Sequence, residues 1–361
     1  MTSFDFDALR RWPDVEADNL YAYDATDRLL LELAESHLPD ARLAVINDSY
    51  GALTLGAGIP GTRVHQDGLL AERALAANAD GFVYESYPLG QSLLAGATLV
   101  LMQLPHSLDE LEEQLDAIAR WADPAVTVIA GGRIKHLTPT MNPVMLRYFD
   151  MLDVSRAQQK SRAFTLRGPQ PVGDPVFPKT QKHGDLVVAA HGAVFAGTSV
   201  DIGTQTLLGV LPKSAIQQGT AIDLGCGTGV LATSVARMKP AMRVIATDQS
   251  AAAVASSRLT AELNGVGDRV EVVRDDGLQS QPDASAQLIV LNPPFHIGAT
   301  VHTGLALRMF EDAGRVLAPG GELWTVFNGH LGYRQALARL VGPTELVTHN
   351  QKFMVTVSRK R

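Results

Sequence analysis

Two short segments of this 361-residue chain concentrate residues whose types and spacing could do chemistry. The first, Asp223-Leu-Gly225-Cys226-Gly227-Thr-Gly229, follows the apolar run Ala221 to Leu224 and precedes a helix-like stretch, so it reads as strand, glycine turn and helix start. Glycines are required where a backbone turns sharply and a ligand must approach without a Cβ in the way. Two kinds of nucleotide loop are excluded. A phosphate loop needs Lys then Ser or Thr at its far end, where Val230 and Leu231 stand, and the dinucleotide fingerprint needs a third glycine at position 230. The second segment, Asn292-Pro293-Pro294-Phe295, ends the apolar run Gln287 to Leu291. Adjacent prolines stop sheet pairing and remove two N–H donors, which leaves carbonyls that must find donors elsewhere. An amine is such a donor.

Carboxylates stand at the ends of neighbouring strand-like runs. Arg243 to Asp248 ends in an acid placed as in strand-two nucleoside sites, where a carboxylate accepts both ribose hydroxyls. A third run, Arg269 to Arg274, leads into Asp275-Asp276-Gly277. Each aspartate alone would also suit a helix cap or a turn. In order, and at strand ends, they make a cofactor site. Cys226 reads as a small packing residue. His296, His302, His330 and Asn328 read as scaffold residues, although His296 could relay a proton or hold a phosphate. Ten histidines and one cysteine show no metal-ligand spacing, so no metal is expected.

The elements that position these residues follow from length and rhythm. A chain of 361 residues exceeds one core, and 46% apolar with 19% charged residues excludes disorder, collagen and coiled coil as its main character. The longest nearly uncharged apolar run, Leu93 to Leu104, is far short of the ~20 residues of a membrane helix, and no membrane partner is expected. The N-terminus lacks a basic-then-apolar leader and a lone cysteine forms no internal disulfide, so a cytoplasmic location is expected. Short apolar runs alternate with amphipathic stretches in both halves, the rhythm of a doubly wound α/β sheet. Gly168 to Pro178 carries four prolines and two glycines. The expected division is therefore 1–167, a Pro/Gly-rich linker at 168–183, and 184–361.

The halves also match each other. Ile46-Asn47-Asp48-Ser49-Tyr50-Gly51 lies against Ile222 to Gly227, Leu99 to Pro105 against Leu288 to Pro294, and His136-Leu137 against His330-Leu331, at offsets of 176 to 194 residues. The first half keeps one of three loop glycines and has Gln-Leu-Pro where the second has Asn-Pro-Pro, which reads as a duplicated scaffold that lost its chemistry. Charge is unevenly spread. Residues 1–40 carry ten acids and three bases, whereas Arg133 to Lys182 carries nine bases and three acids, enough to steer a polyanion.

Asp-x-Gly-x-Gly-x-Gly resembles motif I of class I S-adenosylmethionine-dependent methyltransferases, and Asn-Pro-Pro-Phe resembles the motif IV of those acting on nitrogen attached to a planar π-system. The resemblance implies S-adenosylmethionine held by Asp223, Gly225, Cys226, Gly227, Gly229 and Asp248, with Asp276, or else Asp275, on the adenine amino group. It implies an acceptor nitrogen gripped by Asn292 and the Pro293 carbonyl and a ring stacked on Phe295, with Pro294 shaping the corner and Asn292 bordering the cofactor as well. Cys226, lying in the cofactor loop, is unavailable for the nucleophilic role that cytosine C5 methylation needs. With His191-Gly-Ala-Val-Phe195, Val200-Asp201-Ile202-Gly203-Thr204, Asn328-Gly-His-Leu-Gly-Tyr333 and Asn350-Gln-Lys-Phe353, the chain resembles bacterial ribosomal RNA guanine-N2 methyltransferases, closer to the large-subunit type (methyltransferase G) than to the small-subunit type (methyltransferase C). That family implies two tandem Rossmann-like methyltransferase-type domains, the N-terminal one degenerate, without the cofactor loop, and holding ribosomal RNA or a ribosomal subunit. A monomer fits these expectations. Adenine-N6 methylation, glutamine-N5 methylation of a protein, and a noncatalytic RNA-binding or assembly factor retaining a cofactor pocket are the alternatives.

Overall fold

A computed structural model describes residues 4–293 and 299–361. Pro294, Phe295 and His296 lie outside the described residues. The chain forms two compact units, Met1–Phe177 and Pro178–Arg361. The unit boundary falls within 168–183, but Gly168 and Pro169 finish one strand and Lys179–His183 form another, so the irregular part is shorter than the composition suggests.

The first unit holds β1 (Leu43–Ile46), β2 (Thr62–His65), β3 (Tyr84–Ser86), β4 (Leu99–Gln103), β5 (Thr127–Arg133), β6 (Phe149–Val154) and β7 (Ser161–Pro169). The second begins with a hairpin of β8 (Lys179–His183) and β9 (Leu186–Ala190). It continues through β10 (Gly219–Leu224), β11 (Met242–Asp248), β12 (Val270–Arg274), β13 (Ala286–Leu291), β14 (Leu317–Asn328), β15 (Thr344–His349) and β16 (Phe353–Arg359). The sheet orders are β3-β2-β1-β4-β5-β7-β6 and β12-β11-β10-β13-β14-β16-β15. They are one order used twice, parallel through five strands, with an antiparallel strand inserted before the edge. Each sheet is a separate α/β layer, as the rhythm predicted.

The central strands are apolar on both faces because helices cover both. Along β13, Leu288 and Val290 enter one core cluster while Ile289 and Leu291 enter the other, and all four are 0–1% exposed. The hairpin β8–β9 is held by a polar stripe on the helix Ala251–Leu263 and its cap. Ser256, Thr260 and Asn264, four residues apart, accept the N–H groups of His191, Ala189 and Val187 at 2.9–3.0 Å.

The duplication is visible in the backbone, but with a different register from the sequence match. Ile46 pairs with Met102 and Leu224 with Leu291. Gly51 therefore corresponds to Gly229, not Gly227, and both are left-handed N-caps of the following helix, with φ of 95° and 75°. Asn47, with φ of 64°, takes the place of Gly225. The sequence match slipped by two residues because apolar runs alone do not fix a register.

The first unit fills its own loop. Asp48, 1% exposed, accepts the N–H of Gly51 (2.9 Å) and both the N–H (2.8 Å) and hydroxyl (2.7 Å) of Thr54. Gln66, at the position of Asp248, donates to the Asp48 carbonyl. The sheet was kept and the loop closed.

Gly229 marks the reverse choice. A Cβ there would lie 2.8 Å from the Cα of Ser257, so this glycine lets two helices approach closely. Gly229→Ala is expected to lower the unfolding free energy by about 2–4 kcal/mol through a left-handed alanine and overpacking. Urea titration checks this, and unchanged stability would show that the close approach is not what demands glycine.

Candidate active site

The register Leu224↔Leu291 brings the two chemical segments to the same edge of the second sheet, because the glycine loop leaves β10 where Asn292-Pro293 leaves the adjacent β13. Strand order reverses between these two strands, with β11 beyond one and β14 beyond the other. In open parallel sheets the crevice at such a switch point is the ligand site.

Asp223, next to last in β10, is 1% exposed. Its Oδ2 accepts the Ala232 N–H at 2.8 Å, while its Oδ1 is buried without a partner. Burial, reinforced by the charge of Asp248, pushes its carboxyl up to about 7 against the Ala232 bond. Gly225, Gly227 and Gly229 all have positive φ, and the N–H groups of Gly225 and Cys226 both donate to the Thr247 carbonyl at 2.9 Å. A Cβ on Gly227 would meet nothing within 4 Å, so that face of the loop is open. Asp248 ends β11 with Oδ2 accepting the Gly227 N–H and Oδ1 the Ser250 N–H, each at 3.0 Å. Both oxygens are thereby aimed.

The remaining predicted residues separate. Cys226 belongs to the hydrophobic core, and burial followed by the charges of Asp248 and Asp223 pushes its thiol well up. The thiol packs; only the Cys226 backbone belongs to the loop. Asp275 is buried and turned into its own loop, where Oδ2 accepts the Ser280 N–H (2.9 Å) and hydroxyl (2.7 Å). Asp276 is half-buried beside it, with Oδ2 accepting from the Gln279 amide at 3.0 Å. His330 is exposed.

At the acceptor corner Pro293 is buried, and Asn292 Nδ2 donates to Asp201 Oδ2 and to Thr204 Oγ1, both at 3.0 Å. Two acceptors fix which end of the amide points where. Asn292 Oδ1 is consequently left buried with no partner. Asp201 is itself fixed as the N-cap of the helix Ile202–Val210, accepting from Gly203 N–H at 2.8 Å and Thr204 N–H at 3.3 Å. A Cβ on Gly203 would stand 2.8 Å from that carboxylate and 3.3 Å from Asn292 Oδ1. Asp201, Gly203 and Thr204 form a support that carried no role in the sequence reading. Its local signal was an Asp two residues before a helical glycine; its long-range part, spanning 88 and 91 residues, left none.

Residues 1–170 match the family described as RLMG N-terminal domain, and residues 185–357 match Methyltransferase small domain. A ribosomal RNA large subunit methyltransferase G of Pseudomonas entomophila is 36% identical over 99% of this chain and 98% of its own length. One from Streptomyces avermitilis is 35% identical over 98% and 97%. The chain belongs to the ribosomal RNA large subunit methyltransferase G family. The solved T. thermophilus 16S rRNA N2 methyltransferase RsmC, in complex with AdoMet and guanosine, shares the fold at 20% identity, with a TM-score of 0.77 over 94% of this chain and 92% of that one.

As a member of the methyltransferase G family the chain uses S-adenosylmethionine, and its residues fit that molecule. A buried orphan carboxylate oxygen on Asp223 suits the cationic amino-acid end, a loop face free of Cβ atoms suits close approach, and the aimed carboxylate of Asp248 suits a ribose. Tyr333 packs on Phe310 and Phe327 at 5.3 and 5.6 Å, and Asn350 Oδ1 accepts the N–H groups of Lys352 and Phe353 to close a turn. Among the described residues no group of three or more His, Cys, Asp or Glu is placed to hold a metal, and no helix is long and apolar enough to cross a membrane.

Asp223 must be ionised to accept a cation, and burial holds its carboxyl near pH 7 before binding. Cofactor affinity should therefore be level above about pH 7 and fall by up to about tenfold per unit below it, since binding then has to expel a proton. Calorimetry across this window with Asp223→Asn as control checks it; a wild-type affinity independent of pH would contradict the assignment.

Proposed function

We propose that this methyltransferase modifies the exocyclic N2 of a guanine in large-subunit ribosomal RNA. The observation that carries the reading is Asn292, whose amide nitrogen is held by Asp201 and Thr204 and whose oxygen is buried and unpartnered. Such an oxygen needs an N–H donor. The Pro293 carbonyl beside it supplies a second acceptor, so the corner suits an NH₂ group. The names of the relatives supply the RNA, and the guanosine bound to the T. thermophilus N2 enzyme favours guanine over adenine or a glutamine side chain.

The amine on a guanine is a poor nucleophile because its lone pair is delocalised into the ring. Hydrogen bonds from both N–H groups to Asn292 Oδ1 and the Pro293 carbonyl favour a pyramidal nitrogen, which releases the lone pair from the ring. S-adenosylmethionine supplies the methyl group as a sulfonium electrophile. The chain's part is positioning and electrostatic stabilisation in line with that methyl group. The charge gained by nitrogen on methylation makes it acidic enough to shed its proton to water, so no strong base is required.

Methyl transfer from labelled S-adenosylmethionine should label large-subunit RNA, with N2-methylguanosine in the digest. Label in N6-methyladenosine, or in a release-factor peptide in place of RNA, would replace the proposal by one of its alternatives, and no label in any substrate would favour the noncatalytic reading. Asn292→Ala should lower turnover by about 10²–10³-fold with cofactor affinity nearly unchanged. Gly203→Ala, whose Cβ would crowd both the Asp201 carboxylate and Asn292 Oδ1, should lower kcat with the same sparing of the cofactor. Parallel loss of cofactor binding in both would move Asn292 out of the acceptor role.

A further inference from the structure

The first unit carries an open cleft of about 580 Å³, within the range of small-ligand sites, bordered by Tyr21, Tyr23, Arg28, Arg133, Gln159 and Lys160. The repeat gives its position meaning. The helix Ala25–Ala34 is N-capped by Asp24 as Ile202–Val210 is by Asp201. Gln103, at the end of β4, donates to Asp27 at 2.6 Å, as Asn292 after β13 donates to Asp201 and Thr204. Arg133 pairs with Ser161 as Asn328 pairs with Phe353, and Lys160 precedes the first pair as Lys352 precedes the second. The cleft thus lies where the second unit has its acceptor corner.

We propose that this cleft holds one unstacked nucleotide of the RNA, as a second, non-reacting base pocket. This rests on the RNA reading of the catalytic unit and adds a site to it. The walls combine flat rings with cations. Tyr21 is 64% exposed and meets Tyr23 edge-on at 6.1 Å. Tyr23 is fixed by donating its hydroxyl to Asp7 at 2.5 Å, and the Arg28 guanidinium lies over its ring at 4.9 Å. Among the described residues neither Arg28 nor Lys160 has a carboxylate at ion-pair distance. Asp24, the acid of the cleft, is committed to the Thr26 N–H at 2.5 Å and stands 4.0 Å from Arg133. A ring to stack on beside cations for phosphate is the chemistry of single-stranded nucleic-acid recognition. An anion alone would leave the rings unexplained, and an apolar ligand the cations.

The turn at the rim is informative. Gln159 and Lys160 form the two-residue tip of the 155–160 connection between β6 and β7, closed by the isolated bridge Gln158↔Ser161, and both have positive φ, 44° and 63°. Asn-Gly makes such a turn with least strain. Two long side chains are instead kept at left-handed positions, and both border the cleft. Methyl chemistry is not expected there, because Leu104 stands where the catalytic corner has Pro293 and Asp48 closes the loop that would hold a cofactor.

The full chain carrying Tyr21→Ala or Lys160→Gly tests this. With a labelled single-stranded RNA oligonucleotide, Tyr21→Ala should weaken binding at least about fivefold, the low end of one lost base stack. Lys160→Gly should reduce the salt slope by about 0.7, one phosphate contact, while the unfolding midpoint does not fall because glycine suits that turn. In both, the loss in methylation should appear in KM for RNA, and calorimetric S-adenosylmethionine binding should be retained. Wild-type RNA affinity and KM in both variants would overturn the cleft while leaving the catalytic reading intact. A wild-type protein that binds RNA through Tyr21 and Lys160 yet labels no RNA would retain the cleft and sink the catalytic reading.

Discussion

Two hydrogen bonds donated by a single amide nitrogen are what the proposed chemistry depends on. Asp201 and Thr204 take both N–H groups of Asn292, so the amide cannot turn and its oxygen is left dry and unpaired. A buried acceptor without a donor costs roughly 1–3 kcal/mol. The fold accepts that cost at the end of β13, and accepts a like cost at the end of the adjacent β10, where Asp223 Oδ1 is also orphaned. One orphan suits a cation and the other an amine, and strand register sets them next to each other.

The first unit shows the same architecture with these debts removed. Asp48 satisfies the loop N–H groups, Asn47 and Gln114 bond each other in both directions at 3.0 and 3.1 Å, and Gln103 is tied to Asp27. Satisfying polar groups internally is the cheap way to retire a ligand site, because the sheet, the helix caps and the register can all stay. The consequence is visible in Gly51 and Gly229, which keep the same left-handed cap on helices that no longer share a task.

The sequence made most of the catalytic unit legible because local chemistry dictated it. Three glycines at alternate positions demand positive φ, two prolines end a strand, and acids at strand ends face one edge of a doubly wound sheet. What stayed hidden was set at long range. The repeat was found but slipped by two residues, since Ile46 and Ile222 look alike as apolar residues and only pairing with β4 and β13 fixes their depth. Asp275 and Asp276 look alike in sequence, and only the folded loop shows that Asp275 bonds Ser280 and Asp276 bonds Gln279. The basic segment Arg133 to Lys182 is divided between the two units and partly paired. Arg147 and Arg167 are paired with Glu112 and Asp153, and Lys179 and Lys182 belong to the hairpin of the second unit. Charge counted along a chain ignores such pairing.

The same physics links the catalytic pocket to stability. Burial raises the cost of ionising Asp223, and the nearby charge of Asp248 adds to it. The folded state holds a proton on Asp223 up to about pH 7 that the unfolded chain releases near its ordinary, lower value. In the window between those values the folded state binds more protons than the unfolded one, so this group's contribution to stability declines as pH rises and is fully spent above about pH 7. A cation placed against the carboxylate reverses the balance, because it favours the ionised form and binds only the folded chain. The glycine loop is therefore most in need of its cofactor under the conditions in which Asp223 is most ready to receive it.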